Sequence, residues 1–330
     1  MILVGDVGGT KCNLALVERR ENRFVIHHRQ RFASRDYGHF SDIVAAFLAG
    51  ARDVVAAGKA QTIEAAGFGV AGPVIGGRVS VTNLGWELEA GALRRQIGTK
   101  HVVLLNDLEA MGYGLSQLSS DDLRVLNPGQ GRMHASRALI AAGTGLGESL
   151  LHWDGGRYIV LPTEGGHCDF APRTEQEIAL LRHMKLSQEP VSWEMIISGR
   201  GFQVLHEFLA PAARHPRFDS ADYDPAPEIT QQALEDSCPV CVQALDLWVS
   251  LYGAETGNFA LKTLALGGVY VSGGIVTKIL PKMMDGTFVR SFCRKSRFAE
   301  LLAQIPIYVV LSEDTPLLGS AAEAARALAA

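Results

Sequence analysis

Met1-Ile2-Leu3-Val4-Gly5-Asp6-Val7-Gly8-Gly9-Thr10 drives an apolar, strand-like run straight into a pair of glycines, and Asn13-Leu14-Ala15-Leu16-Val17 resumes a strand beyond them. A strand, a glycine turn and a returning strand make a hairpin. Glycines at such a turn have a second use. With no Cβ in the way, backbone N–H groups can surround anionic oxygens. Asp6, at the end of the strand, then becomes a candidate to hold a hydrated Mg²⁺. The device recurs in the second half, where residues 138–142 read as a strand and Ala142-Gly143-Thr144-Gly145-Leu146-Gly147 as the turn. In each half a third strand follows, over 24–27 and over 157–161. Residues 118–137, rich in Ser, Asp, Asn, Pro and Gly, read as the linker between the halves. The repetition is one of architecture and not of residues, and the fold class it predicts is α/β in two lobes.

Between these strands the spacing predicts a helix over 40–57, with Ile43, Phe47, Val54 and Ala57 on one face. The apolar run His101-Val102-Val103-Leu104-Leu105 reads as a strand buried on both faces. It ends at Asn106-Asp107, where a helix over 108–118 begins. The longest helix falls between Pro239 and Leu266, and a final strand at 306–310 precedes an Ala-rich helix from about Pro316, capped by Asp314 or Thr315.

Composition narrows the function. The chain has 330 residues, 47% hydrophobic and 20% charged, with a formal net charge of -4. It is too apolar for a disordered chain and has no electrostatic pull toward nucleic acid or anionic membranes. No apolar run approaches the ~18 residues that span a bilayer, and the first residues lack the basic segment of a signal peptide. Five scattered cysteines make no disulfide framework and fit a reducing, cytoplasmic setting.

Other motifs are weighed on their chemistry. Gly67-Phe68-Gly69-Val70-Ala71-Gly72 matches the dinucleotide fingerprint, but Pro73 and a turn follow where a phosphate-facing helix is required. That reading fails, and Ala71-Gly72-Pro73 is taken as a tight backbone approach beside a ligand. Asp107, where a strand ends and a helix begins, is either a helix cap or a general base for a hydroxyl, with Asn106 orienting it. Glu164-Gly165-Gly166-His167 follows Pro162 in a loop and offers a carboxylate and an imidazole suited to neighbouring sugar hydroxyls. Glu194 reads as opening a helix capped by Ser192. Cys238-Pro239-Val240-Cys241 is a lone Cys-x-x-Cys, read as two buried thiols and not as a zinc site.

Taken in order, Gly5-Asp6-Val7-Gly8-Gly9-Thr10, Asn106-Asp107, Ala142-Gly143-Thr144-Gly145-Leu146-Gly147, Glu164-Gly165-Gly166-His167-Cys168-Asp169-Phe170-Ala171-Pro172 and Ser272-Gly273-Gly274-Ile275 resemble the bacterial ATP-dependent glucokinase family of the hexokinase/actin-like ATPase superfamily. The likeness runs to Leu317-Leu318-Gly319-Ser320. It implies a two-lobed actin-like (ribonuclease H-like) α/β fold, each lobe a mixed sheet with flanking helices and the active-site cleft between them. The small lobe would hold 1–117 plus 313–330 and the large lobe 118–312. It implies transfer of phosphate from ATP-Mg to O6 of D-glucose, the first step of glycolysis. Asp107 would be the base, and Asn106, Glu164, His167 and Glu194 would join it in binding glucose. Gly5, Asp6, Val7, Gly8, Gly9 and Thr10 with Gly143, Thr144 and Gly145 would hold the phosphates, Gly273 and Gly274 would lie near the adenosine, and Asp6 would face Mg²⁺ through water. The family commonly forms homodimers. Two departures stand out: Lys11-Cys12 where these glucokinases have Asn and a small residue, and Thr163 in place of Gly before Glu164. The alternatives are a kinase for another hexose or an amino sugar, and a non-catalytic sugar-sensing regulator. The latter would carry an added N-terminal helix-turn-helix, whereas Met1 here begins the first strand.

Overall fold

The first strand, β1 (Ile2–Val7), is buried along almost its whole length because it lies inside a five-stranded sheet. The computed structural model describes residues 1–21, 23–51, 62–81, 83–186, 189–210 and 224–329. Two units divide the chain. One comprises Met1–Asp121, Tyr158–Pro162 and Ser312–Ala330, the other Asp122–Arg157 and Thr163–Leu311.

In the first unit, β1 is followed by β2 (Lys11–Arg20), β3 (Arg23–Ala33), β4 (Ala65–Val70) and β7 (His101–Asn106), in the sheet order β3-β2-β1-β4-β7. β1 runs antiparallel to β2 and parallel to β4, and β4 runs parallel to β7. β3 is much longer than its predicted 24–27 because it pairs along the whole of β2. A separate two-stranded ribbon joins β5 (Arg78–Val81) to β6 (Trp86–Glu89). β7 corrects one expectation. As the edge strand it is half-exposed at His101 and Val103 and buried at Val102 and Leu104.

Helix α1 (Phe40–Gly50) buries Phe40, Ile43, Val44 and Phe47, the i, i+3, i+4, i+7 stripe of an amphipathic helix. His39 and Asp42 close a capping box at its start. Val54 and Ala57, expected on the same face, lie outside the described residues. Helix α2 (Ala90–Ile97) ends on Gly98 in the left-handed conformation, and α3 (Asp107–Gly114) follows β7 directly.

The C-terminal helix (Thr315–Ala329) lies on this first sheet, packing Leu317, Ala321 and Ala324 against Ile2, Val4, Val17 and Ala65. Burial of Leu317 alone contributes ~2 kcal/mol. The close fit explains the Gly67-Phe68-Gly69 match. Both glycines lie within β4, where a Cβ on Gly67 would overlap the Ser320 carbonyl oxygen and one on Gly69 would sit 2.6 Å from the Ala110 Cβ. They are flat places where two helices meet a sheet, and no dinucleotide-type helix follows them.

The second unit repeats the topology. Strands β8 (Leu123–Asn127), β9 (Arg137–Ala142), β10 (Leu146–Trp153), β12 (Val269–Ser272) and β13 (Ile307–Val310) follow the order β10-β9-β12-β13-β8. β9 is antiparallel to β10 and parallel to β12, as β1 is to β2 and β4. The glycine turns 8–10 and 143–145 therefore occupy equivalent places in the two sheets. Strand β11 (Tyr158–Thr163) has residues Tyr158–Pro162 in the first unit. β8 corrects the expectation of a structureless linker over 118–137, because it pairs antiparallel with β13. Helices α4 (Glu175–Met184), α5 (Gly199–Leu209), α6 (Ala226–Leu234) and α7 (Pro239–Thr263) pack together. α7 is buried on nearly every side, with Trp248 and Tyr252 fully enclosed. Helix α8 (Gly274–Lys278) leaves β12 through Gly273. No helix among the described residues is long and apolar enough to cross a membrane.

Candidate active site

The first unit brings Asp6, the Gly8-Gly9-Thr10 turn and Asp107 to the same ends of β1 and β7, parallel strands on either side of β4, where open α/β sheets carry their chemistry. The turn is closed by Gly8 N–H donating to the Lys11 carbonyl at 3.0 Å, and Ser34 Oγ donates to the Gly8 carbonyl at 2.7 Å. Cys12 is buried behind it, 3.3 Å from Ser34 Oγ, and Lys11 is exposed at the start of β2. Gly5 and Val7 are inside the sheet. Gly5 makes room for the Phe68 ring, and Val7 is fully covered. Of the predicted phosphate segment, Gly8, Gly9 and Thr10 form the turn itself, and Asp6 is only partly covered at the strand end before it.

Asp6 accepts from Asn13 Nδ2 at 3.2 Å, its cross-strand neighbour, and burial raises its carboxyl above the usual range. Asn106 is the cap of α3: its Oδ1 accepts from Leu108 N–H at 2.9 Å, and Glu109 answers by accepting from Asn106 N–H. Asn106 Nδ2 also donates to the Gly72 carbonyl at 3.1 Å, which ties the Ala71-Gly72-Pro73 segment to the end of β7. Asp107 is the first residue of the helix proper, so the capping role once open to it belongs to Asn106. Burial raises the Asp107 carboxyl to about 6, with the charge of Asp6 adding to the rise and the Leu108 N–H opposing it. A carboxylate poised there can take a proton near neutral pH.

In the second unit Glu194 comes back from a later segment to meet Glu164 and His167, which are three residues apart. His167 Nε2 lies 4.0 Å from Glu164 Oε2, and His167 Nδ1 lies 3.9 Å from Glu194 Oε1. The imidazole stands between two carboxylates. Glu164 to His167 form a turn of 3₁₀-helix and not an open loop. Gly166 has to be glycine, since a Cβ there would overlap the Leu146 carbonyl oxygen. Thr163, the departure from the family pattern, builds the entry: its hydroxyl donates to the Glu148 carbonyl at 3.0 Å and accepts from Gly165 N–H at 3.1 Å.

Glu194 corrects its expectation. It sits in a turn and not at a helix start, and Ser192 bridges to Asp169 instead of capping it. Its Oε2 accepts from Leu146 N–H at 2.9 Å, immediately after Gly143-Thr144-Gly145, while its own N–H donates to the Gly166 carbonyl at 2.8 Å. One residue therefore holds both the second glycine turn and the Glu164–His167 segment. Gly143 N–H donates to the Gly145 carbonyl at 2.8 Å within the turn. Gly273 has φ 105 beside the Ala142 carbonyl, and Gly274 has open space where a side chain would be.

Sequence reasoning missed Glu148. It is buried on β10, and Gly165 has no room for a Cβ because the Glu148 carboxyl lies against it. Its Oε1 has no hydrogen-bond partner among the described residues. Burial first, and then the charge of Glu255, raise it to about 8, with Lys262 opposing. No local pattern signals a lone Glu in an apolar strand. Because the folded form holds this proton above the ordinary carboxylate range, Glu148 stabilises the fold at low pH and that contribution fades as pH rises. Unfolding free energy should fall by ~1.4 kcal/mol per unit between about pH 5 and pH 8 from this group. Glu148→Gln should flatten that slope in denaturant titrations across the same range.

Comparison with known proteins bears on both units. The family model described as Glucokinase matches residues 3–327. A glucokinase from Nostoc punctiforme is 37% identical over 99% of both chains. A solved glucokinase from an Antarctic psychrotroph superimposes with a TM-score of 0.85 at 29% identity, covering 98% of each chain. A glucokinase of the ROK family from Streptomyces griseus, solved with glucose and AMPPNP, shares the fold at a TM-score of 0.66 and 22% identity, covering 98% of this chain and 99% of its own. With these neighbours the architecture is the two-lobed actin-like one, and the chain belongs to the glucokinase family.

Proposed function

We propose that Asp107 is the general base in this chain's phosphorylation of glucose by ATP, taking the proton from the 6-hydroxyl. Asn106, Glu164, His167 and Glu194 hold other hydroxyls of the same sugar. Membership in the family supplies the reaction. The observation that carries the residue assignment is the convergence of Glu164, His167 and Glu194, two acceptors flanking an imidazole that can donate or accept. Such a set suits neighbouring hydroxyls, each of which is both donor and acceptor.

Phosphoryl transfer asks for position and charge neutralisation more than covalent chemistry. The turns Gly8-Gly9-Thr10 and Gly143-Thr144-Gly145 hold the phosphates, with Gly8 and Gly143 closing each turn through their own N–H and the N–H groups of Gly9, Thr10, Thr144 and Gly145 as the donors, and Gly273 and Gly274 border the adenosine. Asp6, an oxygen ligand at a strand end with burial already raising its carboxyl, fits a hydrated Mg²⁺. That ion, when bound, would neutralise phosphate charge. Asp107 needs only hydrogen-bond reach to the hydroxyl, because the proton leaves late in a loose transition state. The reading keeps two lobes, residues 1–117 with 313–330 and residues 118–312, and takes the enzyme as a cytoplasmic homodimer, for which sedimentation is the test of assembly.

The deciding assay is ADP release with glucose, mannose, fructose and N-acetylglucosamine. Glucose should give the highest kcat/KM. A preference for mannose would remove the sugar assignment and leave the base, whereas ADP release with none of them would remove the whole reading. Glu164→Gln should raise KM for glucose about tenfold, the low end for loss of a charged hydrogen bond, with kcat changed far less. An unaltered KM would take Glu164 out of the sugar site.

A further inference from the structure

Cys238-Pro239-Val240-Cys241 does not form the pair of buried thiols expected of it. Cys241 is buried, but Cys238 is half-exposed and caps α7, its Sγ accepting from Cys241 N–H at 3.5 Å. A third group joins them. His206, buried near the end of α5, brings a ring nitrogen so that all three donor atoms lie within 4.8 Å of one another. None of these residues belongs to the site described above.

From this geometry we infer that His206, Cys238 and Cys241 form a Cys₂His site for zinc, clipping the end of α5 to the start of α7. Zinc takes sulfur at ~2.3 Å and imidazole nitrogen at ~2.0 Å, so its tetrahedral ligands stand ~3.5–3.8 Å apart. Side-chain rotations that move each donor by about an ångström close the observed spacing to that value. The donor set selects a soft or borderline ion over Mg²⁺ or Ca²⁺, and Cys-x-x-Cys at a helix start is a common zinc-ligand spacing. Binding releases the two thiol protons to solvent, and the two thiolates then balance the charge of the ion. The helix N-terminus favours that negative charge, as does the N–H already aimed at Cys238 Sγ. Cys241 Sγ now lies 3.7 Å from Gln232 Oε1, a weak contact that metal ligation would replace. Because Cys238 is half-exposed, water can reach the fourth position.

The experiment loads the full chain, purified under reducing and metal-free conditions, with zinc chloride and then passes it through gel filtration against a weak chelator. Elemental analysis should find ~1 zinc per chain. Cobalt in its place should give a thiolate charge-transfer band and the visible absorption of a tetrahedral ion. Zinc should raise the Tm of the wild type and leave that of Cys238→Ser unchanged. Cys238→Ser should also bind zinc at least ~10-fold more weakly while phosphorylating glucose as before. Since Cys238 is half-exposed, that variant keeps the fold, and a circular-dichroism spectrum matching wild type verifies it. His206→Ala should lose zinc in the same way. No retained zinc would overturn the proposal, and so would retention unaltered in Cys238→Ser and His206→Ala. A mass two hydrogens low with both thiols blocked would overturn it in favour of a disulfide.

Discussion

Asp107→Asn should lower kcat by at least ~10²-fold, the low end for a positioned general base, while glucose still binds. The variant isolates chemistry from folding for reasons visible in the first unit. Asn106 caps α3, so the helix start does not depend on Asp107. An Asn keeps the shape and an oxygen to accept from Leu108 N–H, which Asp107 Oδ1 accepts at 2.9 Å. Burial raises the wild-type carboxyl to about 6, so its ionised form is held against a desolvation cost that the neutral amide does not carry. Stability above about pH 6 should therefore be unchanged or slightly higher in the variant. The wild type should also show an acid limb in kcat/KM for glucose near pH 6, because the protonated carboxyl below that pH cannot accept the hydroxyl's proton. In Asp107→Asn this limb should disappear along with most of the activity. Turnover close to wild type, with the limb intact, would leave Asp107 as an ordinary helix-start carboxylate.

Much of this was legible in the sequence where a single segment carries its own signal. The strand–glycine–strand units and the strand ending at Asn106-Asp107 announce themselves by local periodicity and turn chemistry. Everything that depends on distant pairing was not. β8 hides in a polar stretch because its partner, β13, comes almost two hundred residues later. Glu194 looked like a helix start because a Ser two residues before a Glu fits a capping pattern. Its actual role, accepting from Leu146 N–H, is set by tertiary contact. The glycines of Gly67-Phe68-Gly69 resemble a ligand loop by spacing but answer to the helices packed on β4. His206 has no sequence link to Cys238 and Cys241, so the three donors form a group only once α5 and α7 are packed. A local pattern specifies which backbone can form; which side chains meet is decided by the other strands and helices.

Glu194→Ala is the substitution that should separate a mere sugar ligand from a residue that braces two segments. The carboxylate accepts from Leu146 N–H beside the Gly143-Thr144-Gly145 turn, and on its other oxygen it faces His167. Alanine leaves that N–H without its acceptor and His167 without one flanking charge. The loss of a charged hydrogen bond of this kind is ~1.5–3 kcal/mol, or ~10- to 10²-fold in kcat/KM. A residue that only touched glucose would raise the glucose KM and leave the nucleotide alone. Because Glu194 also supports the second glycine turn, KM for ATP should rise as well, by a comparable factor, when each substrate is varied at saturating levels of the other. Glu194→Gln should fall between the two, since its amide oxygen can still accept from Leu146 N–H but carries no charge toward His167. A rise confined to the glucose KM in Glu194→Ala would mean that the turn at 143–145 holds its shape without this carboxylate, and the coupling between the two segments would have to run through the Glu194 N–H and the Gly166 carbonyl alone.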